Sequence, residues 1–111
     1  DPDQSARSIR DYVAAKSKKR IAVIINDSWG RDYRDGSAGT AIGIAGISPI
    51  EVYRKTDLFG NPSNSRIAII DELAAAASIL MGQKNEGIPA VLIRAVSFTV
   101  AESARISEIL K

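Results

Sequence analysis

Residues 27–36 hold the side chains best suited to chemistry in this chain. Three acids, two arginines and two glycines fall within ten positions, in the order Asp27-Ser28-Trp29-Gly30-Arg31-Asp32-Tyr33-Arg34-Asp35-Gly36. The charges follow no amphipathic period, and the glycines permit tight backbone turns. The sequence therefore predicts a polar loop that holds an anion or a metal ion, rather than a segment that fills a core.

Asp27 follows a wholly apolar run, residues 21–25, which we interpret as a buried strand. A carboxylate at the end of such a strand can hold a divalent cation, or it can close a local turn ahead of Gly30. Arg31 and Arg34 can bind a phosphate or a carboxylate through two parallel N–H donors, or they can form ion pairs with the neighbouring aspartates.

A second pair of acids, Asp71 and Glu72, lies in an alanine-rich helical segment. Asp71 is about 100° from Ile70 around the helix axis, so it borders the apolar face. The pair could contribute metal ligands, or it could complement the helix dipole in the first turn. No glycine-rich phosphate loop, dinucleotide fingerprint or nucleophile elbow is present.

Composition narrows the chemistry further. The 111 residues include no cysteine and no histidine. A general base or metal ligand must therefore be a carboxylate, a lysine, a hydroxyl or a backbone group, which disfavours zinc and favours magnesium or manganese. The net charge is +2, and the basic cluster at residues 16–20 lacks aromatic residues for stacking on bases. These features argue against nucleic-acid binding, and no apolar run is long enough to span a membrane.

The pattern of expected helices and strands predicts one α+β domain with a mixed sheet and about three helices. Helices are expected at 4–18, 66–81 and 101–110, and strands at 21–25, 41–47 and 90–94, with a further extended stretch at 50–53. The expected N-caps are Asp3 or Ser5 for the first helix and Asn64 or Ser65 for the second. Gly82 is placed to end the second helix in a left-handed cap. Gly43 and Gly46 indicate a bulge or a close backbone neighbour in the second strand.

The order and spacing of short motifs along the chain resemble those of the coenzyme F420-0:L-glutamate ligase (gamma-glutamyl ligase) family. The resemblance rests on matches that span nearly the whole chain: Asp3-x-Ser5-Ala6-x-x-Ile9-Arg10, Asp27-Ser28-x-Gly30-Arg31-x-x-Arg34-x-Gly36, Ala41-Ile42-Gly43-x-Ala45-Gly46-Ile47, Asp57-x-x-Gly60, Asp71-Glu72-Leu73-Ala74-Ala75-Ala76, Met81-Gly82, Gly87-Ile88-Pro89 and Ile93-Arg94. The sequence departs from the family where Ala95 stands, since the family commonly has glycine after the arginine.

The resemblance implies GTP-dependent formation of an amide between L-glutamate and a deazaflavin coenzyme precursor, in a cytoplasmic protein. It implies Mg²⁺ or Mn²⁺ together with K⁺, with Asp27, Asp71 and Glu72 as metal ligands. Arg31 and Arg34 are candidates for binding phosphate or substrate carboxylate. The family pairs its subunits, so a homodimer is expected.

The resembled enzymes also carry an N-terminal half with nucleotide-binding residues and a short C-terminal continuation, which this sequence lacks. We therefore expect residues 1–111 to be a single-domain fragment of a longer ligase that is inactive alone. The alternative is a non-catalytic dimerisation or ligand-binding module of the same family.

Overall fold

Two α-helices and four β-strands make up the regular structure of the chain. The computed structural model describes all 111 residues. The elements in chain order are α1 (Pro2–Ser17), β1 (Val23–Arg31), β2 (Arg34–Ala45), β3 (Glu51–Thr56), β4 (Pro62–Ile67), α2 (Ile69–Met81) and a 3₁₀ turn at Ile106–Ile109. The predicted α+β class is confirmed. No helix combines the length and the apolar character that a membrane span requires.

The strands form two separate antiparallel pairs, β1 with β2 and β3 with β4. The predicted mixed sheet is therefore wrong. Short turns join the successive strands of each pair, and a connection that short allows only antiparallel pairing. The strand predicted at 90–94 is also wrong, because no strand of the chain pairs with that apolar run.

The first helix begins two residues earlier than its predicted start. Asp1 is the N-cap, and its Oδ1 accepts the amide of Gln4 at 3.0 Å, while Pro2 occupies the first helical position. The prediction of Asp3 or Ser5 as the cap is wrong. Asp3 is instead buried, and its carboxylate accepts the amides of Ile44 in β2 and of Ile106.

The second helix is shorter than predicted. Residues 62–67 pair with β3, so α2 starts at Ile69 after Ala68, without a side-chain cap. The predicted caps Asn64 and Ser65 are wrong because both residues belong to β4. Gly82 ends α2 as predicted, and its φ of 72° favours glycine. The predicted left-handed cap is wrong, because the ψ of −173° lies outside the left-handed helical region.

The second predicted strand, residues 41–47, has both a bulge and close backbone neighbours. The register with β1 shifts so that Ile25 faces Gly43 while Asn26 faces Ala41. A Cβ on Gly43 would lie 2.5 Å from the carbonyl carbon of Pro2, so α1 crosses directly over this position. Glycine is required there because no side chain fits.

A small core lies between β2 and α2 and extends to the C-terminal segment. Its buried members are Ala41, Ile44, Ile47, Ile69, Ile70, Ala74 and Ala104. The helix predicted at 101–110 is wrong, because only the 3₁₀ turn forms there. Ala104 is buried in this core, and Ile106 donates its amide to Asp3. These tertiary contacts outweigh the helical preference of the local sequence.

Residues 83–111 otherwise lie in irregular conformation along the body. Polar contacts fix them at several places. Thr99 donates its amide and hydroxyl to Glu51, at 2.6 and 3.0 Å. Arg10 of α1 pairs with Glu102, and Ile106 reaches Asp3. The segment is therefore positioned by long-range bonds to α1 and β3 rather than by secondary structure of its own.

Candidate functional site

Residues 27–36 form the outer half of a hairpin rather than a loop. Strand β1 continues to Arg31, and the chain reverses at Asp32 and Tyr33 before β2 begins at Arg34. The loop interpretation is wrong because these residues pair as two strands, and all of them are exposed since the two-stranded ribbon extends past the core. The consequence for the site is that Asp27 sits on a paired strand, opposite Thr40.

An open cleft of about 560 Å³ lies between β1, the end of α2 and the start of the C-terminal segment. Its walls are mostly polar and comprise Asn26, Asp27, Ser28, Ser78, Met81, Gly82, Gln83, Lys84, Gly87, Ile88 and Pro89. The Oγ of Ser28 donates to Oε1 of Gln83 at 2.5 Å, which joins β1 to the residues after α2. The Nδ2 of Asn26 donates to the carbonyl oxygen of Ala74 at 3.3 Å, which joins β1 to the middle of α2.

The packing of α2 against the β1–β2 hairpin depends on small residues. A Cβ on Gly39 in β2 would come within 2.7 Å of the Ala74 carbonyl oxygen and within 2.6 Å of Ser78 Oγ. Glycine at position 39 therefore allows α2 to approach β2 closely at Ala74 and Ser78. This approach brings the end of α2 beside Asp27 and closes one side of the cleft.

Asp27 contributes the only carboxylate among the cleft residues. Its Oδ1 accepts the amide of Ser28 at 2.7 Å, and its Oδ2 has no hydrogen-bond partner. Lys84, across the cleft, forms no ion pair. The cleft thus combines one carboxylate and one ammonium with hydroxyl and amide groups, which suits a small polar ligand that carries both charges.

Asp71 and Glu72 lie in the first turn of α2 and do not line the cleft. The Oδ1 of Asp71 accepts the amide of Ala41 at 3.0 Å, and Ala41 is the register partner of Asn26, the residue before Asp27. Glu72 is exposed. No group of three or more acidic side chains is arranged to surround a metal ion in this chain.

Arg31 and Arg34 face each other across the end of the β1–β2 hairpin. Both are exposed, neither forms an ion pair with the neighbouring aspartates, and neither lines the cleft. Their guanidinium groups are thus available to a ligand or partner.

Sequence reasoning missed the residues that follow α2. Gln83 and Lys84 lie directly after the Gly82 cap, and Glu86 folds back so that its carboxylate accepts the Lys84 amide at 2.9 Å. That bond is the main reason why the pKa of Glu86 lies below its usual range. The signal available in the sequence was a run of polar residues immediately after a glycine helix end, facing the end of a strand.

Comparison with known proteins places the chain in a family. Residues 1–95 match the family model described as F420-0:Gamma-glutamyl ligase. This match covers more than half of the chain and includes the residues that line the cleft. The chain therefore belongs to the F420-0:gamma-glutamyl ligase family.

Individual relatives agree with this assignment. The coenzyme F420:L-glutamate ligase of Methanothermobacter thermautotrophicus is 48% identical over 96 residues, which cover 85% of this chain and 38% of that protein. The protein of the same name from Archaeoglobus fulgidus is 38% identical over 113 residues, covering 100% of this chain and 45% of its own length. The chain thus spans about two-fifths of the length of the relatives that it matches.

Proposed function

We propose that the chain forms part of a coenzyme F420-0:L-glutamate ligase and contributes the cleft beside Asp27 to its active site. In such an enzyme, GTP drives amide formation between L-glutamate and a deazaflavin coenzyme precursor. The observation that carries the proposal is an open polar cleft, built around Asp27, in a chain of this family.

The cleft residues are proposed to have different binding roles according to their charge. Lys84 is proposed to bind a carboxylate or phosphate oxygen of the substrates, because its ammonium has no ion-pair partner in the chain. Ser28 and Gln83 hold the two walls together and orient the ligand by hydrogen bonds. Arg31 and Arg34 are proposed to bind phosphate or carboxylate groups that extend from the cleft along the hairpin.

The proposed metal ligands are Asp27, Asp71 and Glu72. Their donor chemistry suits Mg²⁺ or Mn²⁺, because these ions prefer carboxylate oxygens. Asp27 and Asp71 each keep one oxygen free of hydrogen bonds. The set is incomplete in this chain, since no three acids converge, so the remaining ligands would come from bound phosphate, water or other protein segments. A bound metal ion, with K⁺ as a monovalent partner, would offset the charge of the phosphates.

We further propose that the 111 residues are inactive alone and pair as a homodimer. Phosphoryl transfer depends on holding all the charged groups in place together, and a partial site loses most of that positioning. A non-catalytic dimerisation or ligand-binding module is the second candidate. The lack of any three-acid cluster favours it.

Titration of MnCl₂ into the purified chain, with and without GTP, tests the metal site. Asp27→Asn should weaken Mn²⁺ binding at least about tenfold, because a hard cation loses a charged oxygen ligand. Asp32→Asn is the matched control, since Asp32 is exposed at the hairpin turn and makes no hydrogen bond through its side chain. Equal binding by both variants would contradict the assignment of Asp27.

Metal binding, measured together with an activity assay, separates the two candidate functions. The isolated chain should bind Mn²⁺ yet add no glutamate to the deazaflavin precursor in the presence of GTP. Glutamate addition by the 111 residues would show that the proposed inactivity is wrong. Absence of any metal binding would instead favour the non-catalytic module.

A further inference from the structure

A short polar loop after α2, residues 82–87, forms one wall of the cleft. It begins at Gly82 and ends at Gly87, and both glycines have a φ of 72°, a conformation that residues with side chains rarely adopt. No helix or strand includes the residues between them. Gln83 and Lys84 line the cleft, whereas Glu86 does not. The loop therefore carries two cleft-lining side chains on a backbone that no secondary structure holds.

Two hydrogen bonds fix this loop on either side of Lys84. The Gln83 side chain accepts the Ser28 hydroxyl, which joins the loop to β1. The Oε2 of Glu86 accepts the Lys84 amide at 2.9 Å, which closes the loop on itself. The pKa of Glu86 lies below its usual range, chiefly because of that amide, so the acceptor is an ionised carboxylate at neutral pH. A charged acceptor makes a stronger hydrogen bond than a neutral one.

Glycine at position 82 makes room for the Glu86 carboxylate. A Cβ at Gly82 would lie 2.2 Å from Cδ of Glu86 and 2.6 Å from each of its carboxylate oxygens. A Cβ at Gly87 would meet nothing within 4 Å. The end of α2 and the Glu86 side chain therefore pack directly against each other, and only at the start of the loop does this contact require glycine.

Glu86 binds the backbone of Lys84 and leaves its ammonium group free. No ion pair joins the two side chains, although they are close in the chain. If Glu86 acted only through its charge, it would repel an anion that approaches the ammonium. Its hydrogen bond has the opposite effect, because a backbone that is already ordered lowers the cost of binding. The two roles predict opposite changes in anion binding when the carboxylate is removed.

We propose that Glu86 is a positioning residue, whose carboxylate holds residues 82–87 in the conformation that presents Lys84 to a phosphate or carboxylate group of the ligand in the cleft. This inference rests on the anion-binding role of Lys84 in the proposed function. Glu86 acts through Lys84 and not on the ligand, because it lies outside the cleft wall. The role requires an oxygen acceptor for the Lys84 amide, and it does not require a negative charge.

Titration of sodium phosphate, and separately of L-glutamate, into the ¹⁵N-labelled chain tests this role at constant ionic strength. The readout is the shift of the Gln83 and Lys84 amide resonances. In Glu86→Ala the dissociation constant should rise about three- to tenfold, because the loop must then be ordered on binding. Glu86→Gln keeps an oxygen for the Lys84 amide, so its constant should stay within about twofold of the unmodified chain. The anion whose binding responds identifies the group that Lys84 receives.

Asn85→Ala is the matched control within the loop. Asn85 is exposed and lies outside the cleft wall, so its removal should leave anion binding unchanged. The heteronuclear NOE of the Lys84 amide should fall in Glu86→Ala and not in Asn85→Ala. The amide resonances of Ile44 and Ile70, which are buried in the core, should stay in place in both variants, and this separates a disordered loop from an unfolded chain.

The two glycines allow a second test that leaves Glu86 unchanged. Gly82→Ala and Gly87→Ala introduce the same strain at φ, but only at position 82 does the new Cβ collide with the carboxylate. Gly82→Ala should therefore weaken anion binding more than Gly87→Ala does. Equal weakening by both substitutions would contradict the packing of Glu86 against the end of α2 as the source of the order.

The outcomes separate the positioning role from the proposed function. Tighter anion binding by both Glu86→Ala and Glu86→Gln would show that Glu86 acts through its charge, and would overturn the positioning role alone. Unchanged binding in Glu86→Ala, or an equal loss in Glu86→Gln, would also overturn that role alone. Failure of the unmodified chain to bind either anion, or undiminished binding by Lys84→Met, would overturn the proposed role of Lys84 and this inference with it.

Discussion

Removal of the buried Asp3 carboxylate should destabilise the chain more than any single surface change. Asp3 is only 6% exposed, and no cation lies within ion-pair distance of it. Its Oδ1 accepts the Ile44 amide at 2.9 Å, and both its oxygens lie 3.2–3.3 Å from the Ile106 amide. One side chain thus connects the first turn of α1 to strand β2 and to the C-terminal segment.

The magnitude follows from the two amides that lose their acceptor. Asp3→Ala leaves the Ile44 and Ile106 amides without a partner in a tight environment, at about 1–3 kcal/mol for each buried unsatisfied group. Relief of the buried charge offsets part of that cost. We therefore expect the free energy of unfolding to fall by about 2–4 kcal/mol. Asp3→Asn keeps one oxygen acceptor and the side-chain shape, so it should lose roughly half as much.

Urea denaturation followed by circular dichroism measures these differences, with Asp32→Ala as the exposed control. Amide hydrogen exchange then reports whether the loss is local, since Ile44 and Ile106 should exchange faster in Asp3→Ala. A variant Asp3→Ala with the stability of Asp32→Ala would refute the reasoning. It would mean that water replaces the carboxylate at both amides without appreciable cost.

Three further predictions concern backbone positions and the turn between β3 and β4, residues 57–61. Gly43→Ala should cost about 1–3 kcal/mol because the new Cβ collides with Pro2, while Gly30→Ala, which has open space around it, should change the melting temperature little. Ala95→Gly should raise the melting temperature slightly, because Ala95 has a φ of 62°, a conformation that costs a non-glycine residue about 1 kcal/mol. The pKa of Asp57 is lowered chiefly by hydrogen bonds from the backbone and side chain of Asn61. The order that Asp57 gives the β3–β4 turn is therefore present above its ordinary pKa and is lost as pH falls through the lowered value. The amide resonance of Phe59 followed by NMR should shift only in that acidic range, and a shift centred near neutral pH would contradict this assignment.

Local patterns predicted some parts of the fold and missed others for identifiable reasons. The helical period of residues 4–18 and the bulge near Gly43 follow from sequence spacing, and both are present. The strand expected at 90–94 and the helix expected at 101–110 are absent. The conformation of residues 101–110 depends on a distant partner, Asp3, which no local pattern contains. Residues 90–94 find no partner strand.

The candidate site was predictable only in part. Asp27 stood out because charged residues follow an apolar run, and it does line the cleft. Lys84 and Gln83 were missed because the apolar run stops at residue 25 and does not show that β1 continues to Arg31. Without that length, nothing in the sequence indicated that the end of α2 lies beside β1. The hairpin that replaces the predicted loop extends β1 past Asp27 to Arg31, and this extension creates the wall on which the cleft is built.

The bond between residues 3 and 106 also sets an order of events during synthesis. During synthesis, residue 106 leaves the ribosome long after α1. Until then, the Asp3 carboxylate lacks the Ile106 amide and is hydrated there, while the hairpins can already form. Closing a loop of this length carries an entropic cost that is offset only when the segment around Ile106 docks. Newly made chains should therefore pass through a species in which the hairpins are formed and the segment around Ile106 is not yet docked. Pulse-labelled hydrogen exchange would detect it as protection at Ile106 that appears later than protection at Ile44.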